Sequence, residues 1–276
     1  MENNSQPNTR KVVLITGASS GIGMALAWAG AQKGFDLMLS GRNTPALGDL
    51  TRALMDQYPN QKIEFLSGEI SDILFCKELI DQCIERLGSL DILINNAGIS
   101  MRGIFNDTDL TVLKRVMDVN FWGSVYCTKF ALPYLLAKKG SVIGISSVAG
   151  FKGLPARTGY SASKFALQGF LESLRIENRH TGLRVLIACP GYTASNIRKS
   201  ALNAAGIAQG ETPLNEDRLM SAEEVARQIW LAYDKKSIYA ILSLQGKMAV
   251  WINKLSPKIA DWLTFKVIRK ETHSPF

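Results

Sequence analysis

Short apolar runs rich in β-branched residues recur along the chain, and helical periodicity follows most of them. Val12-Val13-Leu14-Ile15-Thr16 is the first, and its unbroken apolar character predicts a strand buried on both faces. Met24 to Lys33 is Ala-rich and predicts a helix, with Gly34 as its C-cap. Asp36–Ser40, Ile63–Ser67, Asp91–Ile94, Ser141–Ile145 and Ile238–Leu242 are the further strand candidates. Leu74 to Leu87 predicts a helix with Leu79, Ile80, Cys83, Ile84 and Leu87 on one stripe. Leu110 to Ala137 predicts a long helical segment interrupted by Gly123 and Pro133. Tyr160 to Leu167 suits a helix, and Ser221 to Ala232 predicts another, opened by a capping box of Ser221 and Glu224.

Repeated strand–helix units predict an α/β architecture: a doubly wound parallel sheet of about seven strands with helices on both faces. No internal repeat, low-complexity segment or linker divides the chain. One domain over residues 1–276 is therefore expected, with a core at about 10–245 and a C-terminal extension at 246–276.

Composition narrows the class. A hydrophobic content of 46% with 20% charged residues is enough to bury a sizeable core. Cys76, Cys83, Cys127 and Cys189 lack metal-ligand spacing, and only His180 and His273 accompany them, so no metal site is expected. Scattered cysteines fit free thiols in a reducing cytoplasm. Met1 to Arg10 has no apolar core like that of a signal peptide, and no run is long enough for a spanning helix. The net charge of +8 is mostly local: Lys247, Lys254, Lys258, Lys266, Arg269 and Lys270 face Asp261 alone between 246 and 270. A general nucleic-acid surface is therefore not expected. In that segment Met248, Trp251, Leu255, Ile259, Trp262 and Phe265 mingle with the bases. Two readings stay open: a helix pair packed on the body or on a partner subunit, or a peripheral contact with an anionic membrane surface.

Three features carry candidate chemistry. The first is Gly17-Ala18-Ser19-Ser20-Gly21-Ile22-Gly23, which joins the first strand to the first helix. Such a turn aims backbone N–H groups and a helix N-terminus at an anion. After the second strand, Gly41 stands where an acid would hold a ribose 2′-OH, and Arg42 follows, which suits a 2′-phosphate: NADP(H) is expected over NAD(H).

The second is Tyr160 and Lys164, four residues apart and so on one helix face. A nearby cation favours phenolate, and lowering a Tyr by ~3 units corresponds to ~4 kcal/mol of differential stabilisation. That would make Tyr160 a general acid or base for a carbonyl/alcohol pair. The third is the pair Asn120 and Ser147. Asn120 lies inside a helical segment, where Asn is unfavourable unless it binds something or caps a kink. Ser147 ends a strand thirteen residues before Tyr160, facing the crevice where such sheets bind ligands, or else caps the next turn.

Thr16-Gly17-xxx-Gly21-Ile22-Gly23, Asn95-Asn96-Ala97-Gly98, Asn120, Ser147, Tyr160-xxx-Lys164 and Pro190-Gly191 together resemble the short-chain dehydrogenase/reductase family, of the single-domain Rossmann-fold type. The end of the chain is loosely similar to the branch of 11β-hydroxysteroid-dehydrogenase-like proteins. The resemblance implies Tyr160 as proton donor/acceptor, Lys164 as the residue that lowers its pKa and holds the nicotinamide ribose, Ser147 as the carbonyl-orienting group, and Asn120 as holder of a relay water. It implies cofactor contacts from Gly17, Ser19, Ser20, Gly21, Ile22 and Gly23, from Asn95, Ala97 and Gly98, and from Pro190, Gly191 and Thr193. Glu69-Ile70 stands where the family often has an Asp near the adenine, and Tyr192 where it has a β-branched residue, so Tyr192 is expected at the substrate.

Ile99–Phe105, Phe151–Arg157 and Tyr192–Asn215 follow the strand ends and are expected to select substrate, the last as a mobile lid. Met101, Ile104, Phe105, Phe151, Leu154, Ile197 and Leu202 suggest a lipophilic carbonyl, such as a steroid-like ketone or a 3-oxoacyl compound. The expected activity is that of an NADP(H)-dependent carbonyl reductase or alcohol dehydrogenase, in a homodimer or homotetramer built on the helices around 110–137 and 157–178. The alternatives are an NADP(H)-binding redox sensor and a membrane-associated lipid-binding protein.

Overall fold

The computed structural model describes residues 10–194, 196–210, 212, 219–272 and 274–276. Seven parallel strands form one sheet: β1 (Val12–Thr16), β2 (Asp36–Gly41), β3 (Ile63–Ser67), β4 (Ile92–Asn95), β5 (Ser141–Ile145), β6 (Arg184–Cys189) and β7 (Tyr239–Ile241). Their order is β3-β2-β1-β4-β5-β6-β7, a doubly wound Rossmann sheet. The chain leaves β1 toward one edge and returns through β4 toward the other. The crevice between those two carboxyl ends is where such sheets bind ligands.

Alternation along the buried strands feeds two cores. Val13 and Ile15 of β1 face α1 (Gly21–Gln32), α2 (Thr44–Gln57) and α7 (Ala222–Asp234), while Val12 and Leu14 face the opposite layer. That second layer holds α3 (Ile73–Leu87), α4 (Leu110–Met117), α5 (Gly123–Ala137) and α6 (Thr158–Glu177). All four cysteines are buried and free within these layers.

Three details depart from the expected elements. Helix α2 was not foreseen, although Asn43 caps it, accepting from Ala46 N at 3.1 Å, and Leu47, Leu50, Thr51 and Leu54 form its buried stripe. The long segment 110–137 is interrupted not at Gly123 and Pro133 but by one π-helical turn, Asp118–Trp122. Pro133 lies inside α5, which runs through it because Cys127, Ala131 and Leu135 are buried on either side. The first helix begins at Gly21, three residues earlier than its alanines suggest, because the glycine turn feeds straight into it.

After β7 the chain forms a hairpin of two helices, α8 (Leu244–Leu255) and α9 (Pro257–Ile268). Ser256 is extended, at φ −149° and ψ 94°, and caps α9, with Pro257 opening it. The pair packs on the body through Val250, Ala260 and Ile268. Among the described residues, no helix is long and apolar enough to cross a membrane.

Candidate active site

At the β1–α1 turn the chain itself forms the wall. Gly17 and Gly21 take positive φ, 66° and 54°, a region costly for other residues. A Cβ on Gly17 would stand 2.8 Å from Ala97 Cα, and one on Gly23 would stand 2.2 Å from the Gly17 carbonyl oxygen. Thr16 and Asn96 lock this approach. Thr16 Oγ1 accepts from the backbone N–H groups of Asn96 and Ala97, each at 3.0 Å, and Asn96 Nδ2 donates to the carbonyls of Thr16 and Gly17 at 2.9 and 3.1 Å. Ser20 opens α1 without bonding its first turn through its side chain, and that turn carries no acid. Its N–H groups can therefore face an anion.

The turn opens into a cavity of about 770 Å³ that runs along the carboxyl ends of the strands. Of the foreseen cofactor contacts, Gly17, Ser19, Ser20, Gly21, Ile22, Arg42, Glu69, Ile70, Ala97, Gly98, Pro190, Gly191 and Thr193 line it. Gly23 and Asn95 do not. Gly23 serves by its lack of a side chain, and Asn95 turns into the core, donating from Nδ2 to Thr128 Oγ1 at 2.9 Å. Asn96, which the sequence reading left without a role, reaches the cavity in its place. Arg42 is more than half exposed and lies 3.7 Å from the Glu69 carboxylate, so the adenine-side acid and this base face each other. The glycine cradle, the open helix start and a cavity of this size fit a dinucleotide.

Ser147, Tyr160 and Lys164 meet midway along the same cavity. Ser147 leaves β5 in extended conformation and accepts from Ala149 N at 3.1 Å. Tyr160 stays partly exposed to the cleft, yet loss of water around its phenol pushes its pKa up, against the Ser147 hydrogen bond and the Arg157 charge, which pull it down. Lys164 is buried, donates to the Ile145 carbonyl at 2.8 Å, and stands 5.8 Å from the Tyr160 ring centroid. Burial lowers its own pKa to about 8. The expectation that Lys164 depresses Tyr160 is thus corrected: desolvation dominates the phenol, and the cations acting on it include Arg157 rather than Lys164.

Asn120 sits in the π turn, fully buried and away from the cavity wall. Its Oδ1 accepts from Ile99 N at 2.8 Å, and its Nδ2 donates to Ile99 O and Ser163 Oγ, both at 2.9 Å. The side chain is spent on holding the strap after β4, which places Gly98 against Lys164.

On the far side, Leu154, Tyr192 and Ile197 line the cavity as expected. Met101 is buried in a bridge to Leu202, Phe151 packs on Tyr239, and Phe105 is largely exposed. The expected lid falls partly on 195, 211 and 213–215, which lie outside the described residues. Sequence reasoning missed the rest of the wall: Met248, Ala249 and Ile252 of α8 with Leu263, Thr264, Val267 and Ile268 of α9. Their helical spacing was visible in the sequence; their partner was not.

A Rossmann sheet whose crevice joins a dinucleotide cradle to a Tyr, a Ser and a Lys defines an oxidoreductase of the nicotinamide-dependent class. The chain belongs to the short-chain dehydrogenase family, whose model matches residues 11–206. It is 35% identical over 267 residues to dehydrogenase/reductase SDR family member 7B of Mus musculus, covering 95% of this chain and 83% of that one. It is 36% identical over 258 residues to 11-beta-hydroxysteroid dehydrogenase-like 2 of Arabidopsis thaliana, covering 92% and 80%. Its fold matches a short-chain dehydrogenase of Burkholderia phymatum in complex with NAD at a TM-score of 0.79 and 23% identity, over 91% and 95% of the two chains. It also matches one of Sphingobium yanoikuyae in complex with NADPH at 0.76 and 24%, over 91% and 96%.

Proposed function

We propose that the protein is an NADP(H)-dependent oxidoreductase that interconverts a carbonyl and a secondary alcohol on a lipophilic substrate. The observation that carries this reading is the meeting of Ser147, Tyr160 and Lys164 in a cavity continuous with the glycine cradle. The nicotinamide cofactor, when bound, supplies the hydride. Tyr160 holds a proton at its phenol oxygen, and its raised pKa keeps that proton in place at neutral pH. As charge develops on the substrate oxygen, Ser147 donates a hydrogen bond to it and Tyr160 gives up the proton. Lys164, buried beside the ring, supplies positive charge that favours the phenolate left behind. The reverse order runs from an alcohol.

Arg42 after a strand that ends in Gly41 supports NADP(H) over NAD(H), since a guanidinium suits a 2′-phosphate. The apolar wall from α8 and α9 supports a steroid-like ketone or 3-oxoacyl substrate. The experiment is NADPH oxidation against steroid, 3-oxoacyl, sugar and small aromatic ketones. Turnover on one lipophilic class, lost in Tyr160→Phe, is the expected result. Tight NADPH binding without turnover on any of them would favour a sensor.

Two assemblies accompany this reading. Trp122 stacks on Tyr126 at the outer face of the 110–137 segment, with Trp122 and Phe165 exposed, which supports a homodimer or homotetramer through those helices. Light scattering at the mass of one chain would overturn it. Leu244, Met248, Trp251, Leu255, Ile259 and Trp262 are exposed on the α8–α9 hairpin among its lysines. That mixture supports a cytoplasmic protein resting on an anionic lipid surface. Absence of co-sedimentation with anionic vesicles at low salt would dismiss it.

A further inference from the structure

The last described residues are not a loose end. Glu271 is 6% exposed, although it follows a strongly basic stretch. Its carboxylate accepts two bonds from Arg157 Nη2, at 3.0 and 2.8 Å, and lies 3.5 Å from Arg102 Nη2. Arg102 Nη2 also donates to the Thr272 carbonyl at 2.8 Å. One buried carboxylate thus serves two guanidiniums. Arg157 Nη1 and Arg102 Nε stay buried without a hydrogen-bond partner. Such a cluster is a poor source of stability, because desolvating three charges offsets most of their attraction. It does fix geometry.

The three segments it joins all border the cleft. Arg157 is the N-cap of α6, three residues before Tyr160, and it lines the cavity. Arg102 follows the strap that Asn120 holds, and its backbone N–H bonds the Leu202 carbonyl at 2.8 Å. Glu271 follows α9, whose Leu263, Val267 and Ile268 form the outer wall. At its other end the hairpin is tied more lightly. Asn253 donates to the Phe151 carbonyl at 3.0 Å, and Lys152 pairs with the largely exposed Asp261.

We propose that Glu271 is a positioning residue for the substrate: by pairing with Arg157 and Arg102 it latches the α8–α9 hairpin onto the start of the helix that carries Tyr160, closing the substrate end of the cleft. This rests on the cleft being the site of carbonyl reduction. The glycine cradle lies at the other end and does not feel the latch.

The test compares wild type, Glu271→Gln and Glu271→Asp in steady-state kinetics with NADPH and the ketone that wild type turns over, with NADPH affinity measured alongside. Glu271→Gln is expected to raise the KM for ketone about tenfold while kcat moves less than about threefold and NADPH affinity holds. Glu271→Asp, which keeps the charge, should recover most of the KM. Hydrogen exchange should quicken in 257–268 of Glu271→Gln and stay slow in the β1–α1 turn. A wild-type KM in Glu271→Gln overturns the proposal. So does a parallel loss of kcat, KM and NADPH binding, which would mark a merely structural pair. Should Glu271→Gln fail to fold, Arg102→Gln must raise KM in the same direction by a smaller factor, and an unchanged KM overturns it. If wild type reduces no ketone, the functional reading fails separately, and exchange in 257–268 alone decides the latch: unchanged exchange overturns it.

Discussion

At one end of the cleft the wall is backbone; at the other it is side chain. Around Gly17, Gly21 and Ala97 the walls are peptide groups held by Thr16 and Asn96, and the space left by missing Cβ atoms is already in use. Around Leu263, Val267 and Ile268 the wall is a helix hairpin pinned to the body by a buried carboxylate and a few polar ties. A backbone wall gives one shape and tolerates few residues, so it leaves a motif. A side-chain wall gives a shape that depends on which apolar residues happen to face inward. The first suits a ligand that never changes, and the second suits one that differs between related proteins.

The strongest way to probe the contrast is at the middle, where both ends must act together. Tyr160→Phe removes the transferable proton and is expected to lower turnover about 10²- to 10⁴-fold while NADPH binding stays nearly intact. A variant retaining more than half of wild-type turnover would sink the assignment.

Next comes the backbone wall. Gly23→Ala puts a methyl 2.2 Å from the Gly17 carbonyl oxygen and 2.6 Å from Asn96 Nδ2. The turn must shift, so a loss of about 1–3 kcal/mol in stability is expected from overpacking. NADPH affinity should fall at least about tenfold, measured by fluorescence titration. Wild-type affinity would show that the cradle is softer than its contacts imply.

A smaller effect separates shape from charge at the same end. Arg42→Ala should weaken NADPH about tenfold relative to NADH, the loss of one charge-assisted contact. An unchanged NADPH/NADH ratio of dissociation constants would remove Arg42 from the recognition.

The mildest test is pH. Lys164, lowered to about 8 by burial, is protonated below that pH and loses its charge as pH rises through it. NADPH affinity should therefore weaken above about pH 8, and Lys164→Met should abolish that step. A flat profile in the wild type would separate Lys164 from the cofactor.

The same contrast governs what the sequence made legible. Val12–Thr16, Ile63–Ser67 and Ser141–Ile145 match their strands residue for residue, because buried parallel strands must be apolar throughout. The glycine turn was legible for a related reason: its shape excludes side chains. Helix α2 was overlooked although its cap and stripe were present. The direction of Asn95 depends on Thr128, which belongs to another helix, so its sequence neighbours do not reveal it. The Arg157–Glu271 pair spans 114 residues and has no local signature. Lys164 was assigned its effect on Tyr160 from spacing alone, whereas the phenol answers chiefly to how little water reaches it, a property of the packed cleft.

The π turn at Asp118–Trp122 has a consequence for how this molecule can change. An α-helix turns its side chains by about 100° per residue, so the extra residue held in a π turn acts as a frameshift in three dimensions. Upstream of it α4 packs on α6; downstream α5 packs on α3 and β4. Deleting any one residue there would restore a regular rod and swing everything beyond it out of frame. Inside, Asn120 would leave Ile99; outside, the Trp122–Tyr126 stack would point elsewhere. The cleft and the outer face of this protein are therefore geared to one another. A length change that a surface loop would absorb silently would here alter both at once.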